Sequence, residues 1–293
     1  MKTISEHLKS IYGCKVYKLA LSAKVTCPNR DGTLGTGGCI FCSAGGSGEF
    51  AAGADKSIEE QIAEAKKRVA AKVPCDAKYI AYFQSFTNTY GDFGYLNRIF
   101  REAISVSDVA ILSIATRPDC ISEEMYELLG ELRKTKPVWV ELGLQTVKEE
   151  TARYIRRGYE LPVYDECVAR LQKLGIEVVT HVILGLPGET REDMAETVRH
   201  VADVGSNGIK LQLLHILRGT DLEREYGEGK VPVMTLDEYV DLLKYLIPMI
   251  PDSVIIHRLT GDGPKKGLVA PLWTGDKKRV LNAINAALCE NVP

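Results

Sequence analysis

Cys27-PNRDGTLGTGG-Cys39-IF-Cys42 is the segment on which the reading of this chain turns. It gathers three of the eight cysteines of a 293-residue chain. Cys39 and Cys42 form a C-x-x-C pair, and thiolates two residues apart can approach one metal centre without strain. Cys27 reaches back across a loop carrying Gly32, Gly35, Gly37 and Gly38. Glycines let a backbone wrap an inorganic core and aim N–H groups at it. Three thiolates leave one iron of a four-iron cluster without a protein ligand, as an open coordination position distinguishes a catalytic metal from a structural one. Taken alone, the three cysteines fit a structural zinc equally well, with Cys14 or a histidine as fourth ligand.

The flanks supply the context. Val16–Leu21 reads as a strand just before the cysteines, and apolar β-branched runs then alternate with amphipathic stretches. Strands are expected at Tyr79–Phe83, Val109–Ile114, Val138–Leu144, Ile176–Leu184 and Ile209–Leu217. Helices are expected at Ser57–Lys72, Leu96–Ile104, about Ser122–Lys134, from Pro162, from Thr190 and from Thr235. Ser57 with Glu60, Thr190 with Asp193 and Thr235 with Glu238 supply start signals. Six βα units with continuously apolar strands predict a parallel sheet curled into part of a barrel. The fold class is α/β, a partial (β/α)6 TIM-like barrel. Residues 1–250 form the core; 251–293 form an extension with a strand (Val254–Leu259), a Gly/Pro loop (Gly261–Gly267) and a helix from about Asp276. The cysteines then fall at the C-terminal rim, where barrels place their active sites.

Composition narrows the class. With 45% hydrophobic and 26% charged residues, a large core can be buried. The 37 basic and 39 acidic residues give a formal net charge of −2, so no global basic field points to nucleic acid. Basic sets at Lys66-Lys67-Arg68, Arg156-Arg157, Lys265-Lys266 and Lys277-Lys278-Arg279 leave room for a local phosphate contact. The N-terminus lacks the apolar core of a signal peptide, and no run reaches the length of a membrane span. A cytoplasmic location and reduced thiols are expected.

With these residues in place, the chain resembles the radical S-adenosylmethionine (SAM) superfamily. The eleven-residue first gap, CSAGGSGEF (Cys42–Phe50) and IATRPD (Ile114–Asp119) resemble the YhcC/YtqA-type subgroup, which is related to the Elongator catalytic subunit. The superfamily's commoner spacing is C-x3-C-x2-C; the wide gap is the subgroup's own. The six-unit α/β pattern favours the cluster over zinc, and the resemblance implies a [4Fe–4S] cluster on Cys27, Cys39 and Cys42. It also implies SAM as cofactor and a flavodoxin or ferredoxin as electron donor. In such enzymes the open iron is chelated by SAM, and reductive cleavage yields a 5′-deoxyadenosyl radical.

The resemblance assigns SAM contacts position by position. The amino-group segment falls at Gln84-Ser85-Phe86-Thr87-Asn88, where Ser85, Thr87 or Asn88 replaces the usual glycines. Gln145 takes the ribose position, and Arg157, twelve residues on, the carboxylate position. Gly185 takes the adenine position, and His181 stands where related members carry Asp. A solvated Arg157 and a merely packed His181 are the plain alternatives. Cys120 is either a hydrogen-atom donor near the substrate or a small packed hydrophobe. His215, His257, Arg258 and Asp262 are candidates to close the mouth, and Arg117 to support Asp119 or an anion. The subgroup implies tRNA wobble uridine as substrate, its carboxymethylaminomethyl group converted towards aminomethyl, although no RNA-binding appendage is visible. A small metabolite, a peptide, or a non-catalytic redox or scaffold role are the other readings.

Overall fold

Val16–Leu21 (β1), partly buried at the sheet edge, begins a sheet whose inner strands are buried on both sides, as the apolar runs require. The computed structural model describes residues 1–46, 48, 51, 53, 55–72, 77–261 and 267–289. Asp262, Lys265-Lys266, Cys75 and parts of the Cys42–Phe50 segment lie outside the described residues. After β1 come β2 (Lys78–Phe83), β3 (Val109–Thr116), β4 (Val138–Gln145), β5 (Glu177–Leu184) and β6 (Gly208–Leu213). Each pairs in parallel with its predecessor. The helices are α1 (Ile4–Tyr12), α2 (Ile58–Val69), α3 (Phe93–Ser105), α4 (Glu123–Arg133) and α5 (Glu149–Tyr154). They continue with α6 (Leu161–Lys173), α7 (Arg191–Asp203), α8 (Asp221–Gly227), α9 (Leu236–Leu246) and α10 (Lys277–Cys289). The result is the curled, open barrel expected, with α2, α3, α4, α6, α7 and α9 packed on its outer face.

The helix starts obey local chemistry. Ser57 with Glu60, Thr190 with Asp193 and Thr235 with Glu238 each form a reciprocal capping box. The apolar stripe of α6 (Tyr164, Cys167, Val168, Leu171) is buried, whereas Leu174 caps the helix and is exposed.

Three features depart from the sequence expectation. The sheet has seven strands, because β8 (Ile255–Arg258) pairs in parallel with β6. An open strand edge presents unpaired N–H and C=O groups, and β8 satisfies them. The run Ile209–Leu217 is broken after Leu213: β7 (Ile216–Leu217) pairs antiparallel with β9 (Leu268–Ala270) in a separate ribbon. Leu214 and Ile216 stay buried there, against Ile40 and Leu222; apolar periodicity cannot tell which partner covers a strand. Finally, α1 fills the N-terminal end of the barrel. Its Ile4, Leu8 and Tyr12 pack on Ile80, Ile111 and Trp139 from the strands' inner face.

The inner face is layered, because every second residue of a strand points inward. Above the apolar floor stands a polar tier of Lys18, Tyr82, Ser113, Glu141, His181 and Lys210, joined by direct contacts, with Arg258 beside it and bonded to Gln212 above. Above that lie Ala20, Gln84, Ala115, Gly143, Ile183 and Gln212, and then the loops of the C-terminal rim.

Candidate active site

A cavity of about 510 Å³ opens at the C-terminal end of the strands. Cys27, Cys39 and Cys42 line one wall, on the loop that follows β1. Cys42 N donates to the Cys39 carbonyl at 3.0 Å, closing a tight turn across the C-x-x-C. Ile40, between the two thiols, is buried against Ile155, Leu214 and Leu222, and so anchors the loop to the rim. Asn29 holds it from the other side: its Nδ2 donates to the Arg156 carbonyl at 2.7 Å and to Cys39 Sγ at 3.4 Å. The first gap has to be long because Pro28–Gly38 folds back on itself, with Gly38 N donating to the Asn29 carbonyl at 2.7 Å. Gly38 sits at φ +73°, and a Cβ there would meet the Arg30 guanidinium at 2.9 Å.

The glycines after Cys42 have a purpose that sequence reading missed. A Cβ on Gly46 would lie 2.3 Å from the Phe86 ring, and one on Gly48 would lie 1.9 Å from Ser85 Oγ. The cysteine loop therefore packs backbone-first onto the end of β2. Phe86 itself takes a left-handed backbone (φ +59°) and lies beneath the Arg30 guanidinium at 5.8 Å. Arg30 in turn donates to the Cys42 and Ser43 carbonyls.

Burial pushes the Cys39 thiol up to about 11, with the neighbouring Cys42 adding to it. The Asn29 hydrogen bond and Arg117 act in the opposite direction, favouring the thiolate that a metal centre needs as ligand. Among the described residues, no three His, Cys, Asp or Glu side chains converge closely enough to hold a single ion. In a four-iron cluster each thiolate binds a different iron, and Cys27, Cys39 and Cys42, lining one cavity, can supply three of them.

The other sequence-predicted residues divide in two. Thr87, Gln145, Arg157 and His181 line the same cavity as the cysteines. Ser85, Asn88, Cys120 and Gly185 are not among the described residues that line it. Asn88 is fully buried, and its Nδ2 donates to the Phe83 and Ala115 carbonyls, tying β2 to β3. Gly185 (φ +83°) packs on Met234 and Leu213. Burial and the adjacent Asp119 push the Cys120 thiol up to about 12.

Gln145 has a left-handed backbone (φ +65°) beside a break in the β4–β5 register, the kind of strain that gathers at functional sites. Its carboxamide lies against the Gly143 and Leu144 carbonyls, an arrangement satisfied with its nitrogen turned toward them. Arg157 is nearly fully buried rather than solvated. It donates to the Thr146 carbonyl (2.7 Å), the Tyr159 carbonyl (2.9 Å) and the Glu149 carboxylate (2.8 Å). Arg117 grips Asp119 with two hydrogen bonds, at 2.9 and 2.7 Å, and donates to the Arg157 carbonyl. His215 and Arg258 line the cavity, while the His257 ring packs on Trp139 in the floor.

The interior tier is the larger omission from the sequence reading. Glu141 is shielded from solvent and accepts from Lys18 Nζ (3.1 Å), Ser113 Oγ (2.9 Å), His181 Nε2 (2.7 Å) and Lys210 Nζ. Burial works to raise its carboxyl, but Lys18 and Lys210 outweigh this and hold it well below the usual range. Burial, seconded by Lys210, pushes His181 down to about 4, so the imidazole is neutral near pH 7. The available signal was a lysine at alternate positions within apolar strands: Lys18 in VYKLAL and Lys210 in GIKLQL.

An open parallel barrel with three cysteines at the productive rim defines a class, and comparison with known families agrees. The Radical SAM superfamily matches residues 29–201 and the Radical_SAM C-terminal domain residues 206–290. The chain belongs to the radical SAM superfamily, whose members use a [4Fe–4S] cluster and SAM. It is 45% identical over 286 residues to the uncharacterized protein YtqA of Bacillus subtilis, covering 98% of this chain and 88% of that protein. A tRNA uridine(34) acetyltransferase of Methanocaldococcus jannaschii is 26% identical over 161 residues, 54% of this chain and 29% of that one. The archaeal Methanocaldococcus infernus Elp3 structure has the same fold, with a TM-score of 0.68 and 17% identity over 92% of this chain and 63% of that one.

Proposed function

We propose that Cys27, Cys39 and Cys42 hold the [4Fe–4S] cluster and that the cavity below them receives both SAM and the substrate. One observation carries this reading: the three thiols, Thr87, Gln145 and the tier residues Lys18, Tyr82, Glu141 and His181 all face one cavity. Cys27, Cys39 and Cys42 would hold the cluster, which would supply SAM with the one electron needed to release methionine and a 5′-deoxyadenosyl radical able to take a hydrogen atom from substrate. The protein's part is to orient and to exclude water. Gln145 and Thr87 offer polar groups to SAM at the rim. The buried Arg157 acts through the rim it braces, holding the Thr146 and Tyr159 carbonyls and Glu149 in place. The floor sealed by α1 and Trp139 closes the end opposite the mouth.

For the substrate, the reading is tRNA wobble uridine, with the carboxymethyl group removed from a carboxymethylaminomethyl side chain. Its support is the similarity to a protein named for action on tRNA uridine(34). Lys277, Lys278 and Arg279, exposed at the start of α10, offer a place for phosphate contact. The electron donor in this reading is a flavodoxin or ferredoxin. The test compares wobble nucleosides from cells with and without the gene. Accumulation of the carboxymethylaminomethyl form is expected; unchanged nucleosides alongside robust 5′-deoxyadenosine production in vitro would move the substrate to a small metabolite or peptide.

A further inference from the structure

We infer that Tyr159 is a positioning residue for SAM binding, its phenol hydroxyl fixing the Gly143 peptide and through it the aim of the Gln145 side chain. The inference rests on the reading that Gln145 contacts SAM. Gln145 needs such support. It ends β4, its backbone is left-handed (φ +65°), and the β4–β5 register breaks beside it. A residue other than glycine keeps that conformation only where its neighbours over-determine it. The neighbours that do so lie on one short loop after α5, residues 155–160. Tyr159 Oη donates to the Gly143 carbonyl, two residues before Gln145. Arg157 Nη1 donates to the Thr146 carbonyl, one residue after it, at 2.7 Å. A single loop thus pins Gln145 from both sides.

The Gly143 carbonyl has two lone pairs. One takes the Tyr159 hydroxyl, and the other serves the Gln145 carboxamide, which folds back against it with its nitrogen turned inward. The carboxamide oxygen is then left as an acceptor for a ligand. Gly143 makes room for this fold-back, since a Cβ there would meet the Gln145 carboxamide at 2.5 Å. Gly143, Gln145 and Tyr159 all line the cavity. Tyr159 is itself held in place. The Arg117 and Arg157 guanidiniums lie over its ring at 5.4 and 4.6 Å, and its carbonyl accepts from Arg157 Nε at 2.9 Å. Burial pushes the phenol above its usual range, so it stays a donor at neutral pH. The other end of the loop serves the cysteines: the Arg156 carbonyl accepts from Asn29 Nδ2, and the Ile155 carbonyl from Ile40 N. Removing the Tyr159 hydroxyl therefore takes a hydrogen bond from the Gln145 side and leaves those of the cysteine side in place. Without it the Gly143 peptide can swing, and Gln145 can relax to the extended backbone of its strand.

The test measures SAM affinity by equilibrium dialysis on the unreduced, anaerobically reconstituted holoenzyme, with iron content determined on the same samples. It compares the parent, Tyr159→Phe, Gln145→Ala and the double variant. Tyr159→Phe should weaken SAM binding roughly fivefold, the worth of one hydrogen bond, and keep its full iron content. Gln145→Ala should weaken binding at least as much. The double variant should match Gln145→Ala alone, because a hydroxyl that works through Gln145 then has nothing left to position. A merely structural hydroxyl would add its effect to that of Gln145→Ala. Unchanged SAM affinity in Tyr159→Phe beside weak binding by Gln145→Ala, additive losses in the double variant, or loss of iron from Tyr159→Phe overturns the inference. Unchanged affinity in Gln145→Ala removes the reading of Gln145 as a SAM contact, and the inference with it.

Discussion

Lys210 on β6 and Glu141 on β4 form an ion pair across the interior of the barrel, with β5 between them and Glu141 wholly shielded from solvent. A pair so placed stabilises only while both partners remain, because losing one strands the other's charge in a low dielectric. Glu141→Gln leaves Lys18 and Lys210 facing each other and should cost about 3–5 kcal/mol. Urea unfolding of the variant should show a lower midpoint with little change in slope. Lys210→Met in the same chain should restore part of the loss.

Acid should weaken the fold from near neutrality downward. The unfolded chain binds a proton on His181 near pH 6.5, but the folded chain resists until about 4. The unfolded state thus holds more protons in that window, and stability falls as pH falls through it. Glu141, depressed in the folded state, adds a loss of the same sign below the ordinary carboxyl range. Thermal midpoints should drop steadily from about pH 7 to about pH 5. His181→Asn should flatten the slope in that interval; an unchanged slope would remove His181 as its source.

Cluster retention should depend on the three rim thiols and not on Cys120. Cys39→Ser should lose iron and sulfide on anaerobic reconstitution and form no 5′-deoxyadenosine. Cys120→Ser, on the short turn after β3 and outside the cavity wall, should keep its full iron complement. Reductive SAM cleavage by Cys39→Ser would refute the assignment of the cluster ligands.

Close backbone approach at Gly46 should matter as much as the ligands. At φ +60°, an alanine costs about 1–2 kcal/mol in backbone conformation alone, and its Cβ would meet the Phe86 ring at 2.3 Å. Gly46→Ala should lower iron content while far-ultraviolet circular dichroism still reports an intact barrel. Adding Phe86→Ala should recover part of the iron by opening space for the methyl group.

The sequence alone determined the parallel α/β barrel, the places of its main helices, and the three cysteines at its rim. Each follows from local chemistry: apolar runs of strand length, capping residues three apart, and thiols spaced for one inorganic core. Thr87, Gln145, Arg157 and His181 were reached through family resemblance. Tertiary structure alone decided that β8 closes the β6 edge and that α1 plugs the floor, since a strand or helix does not state its own partner. It also decided that Lys18, Glu141, His181 and Lys210, far apart along the chain, meet in one tier. Single charged residues in apolar strands carry no local sign of one another. Only the inward turn of alternate residues on a curled sheet brings them together.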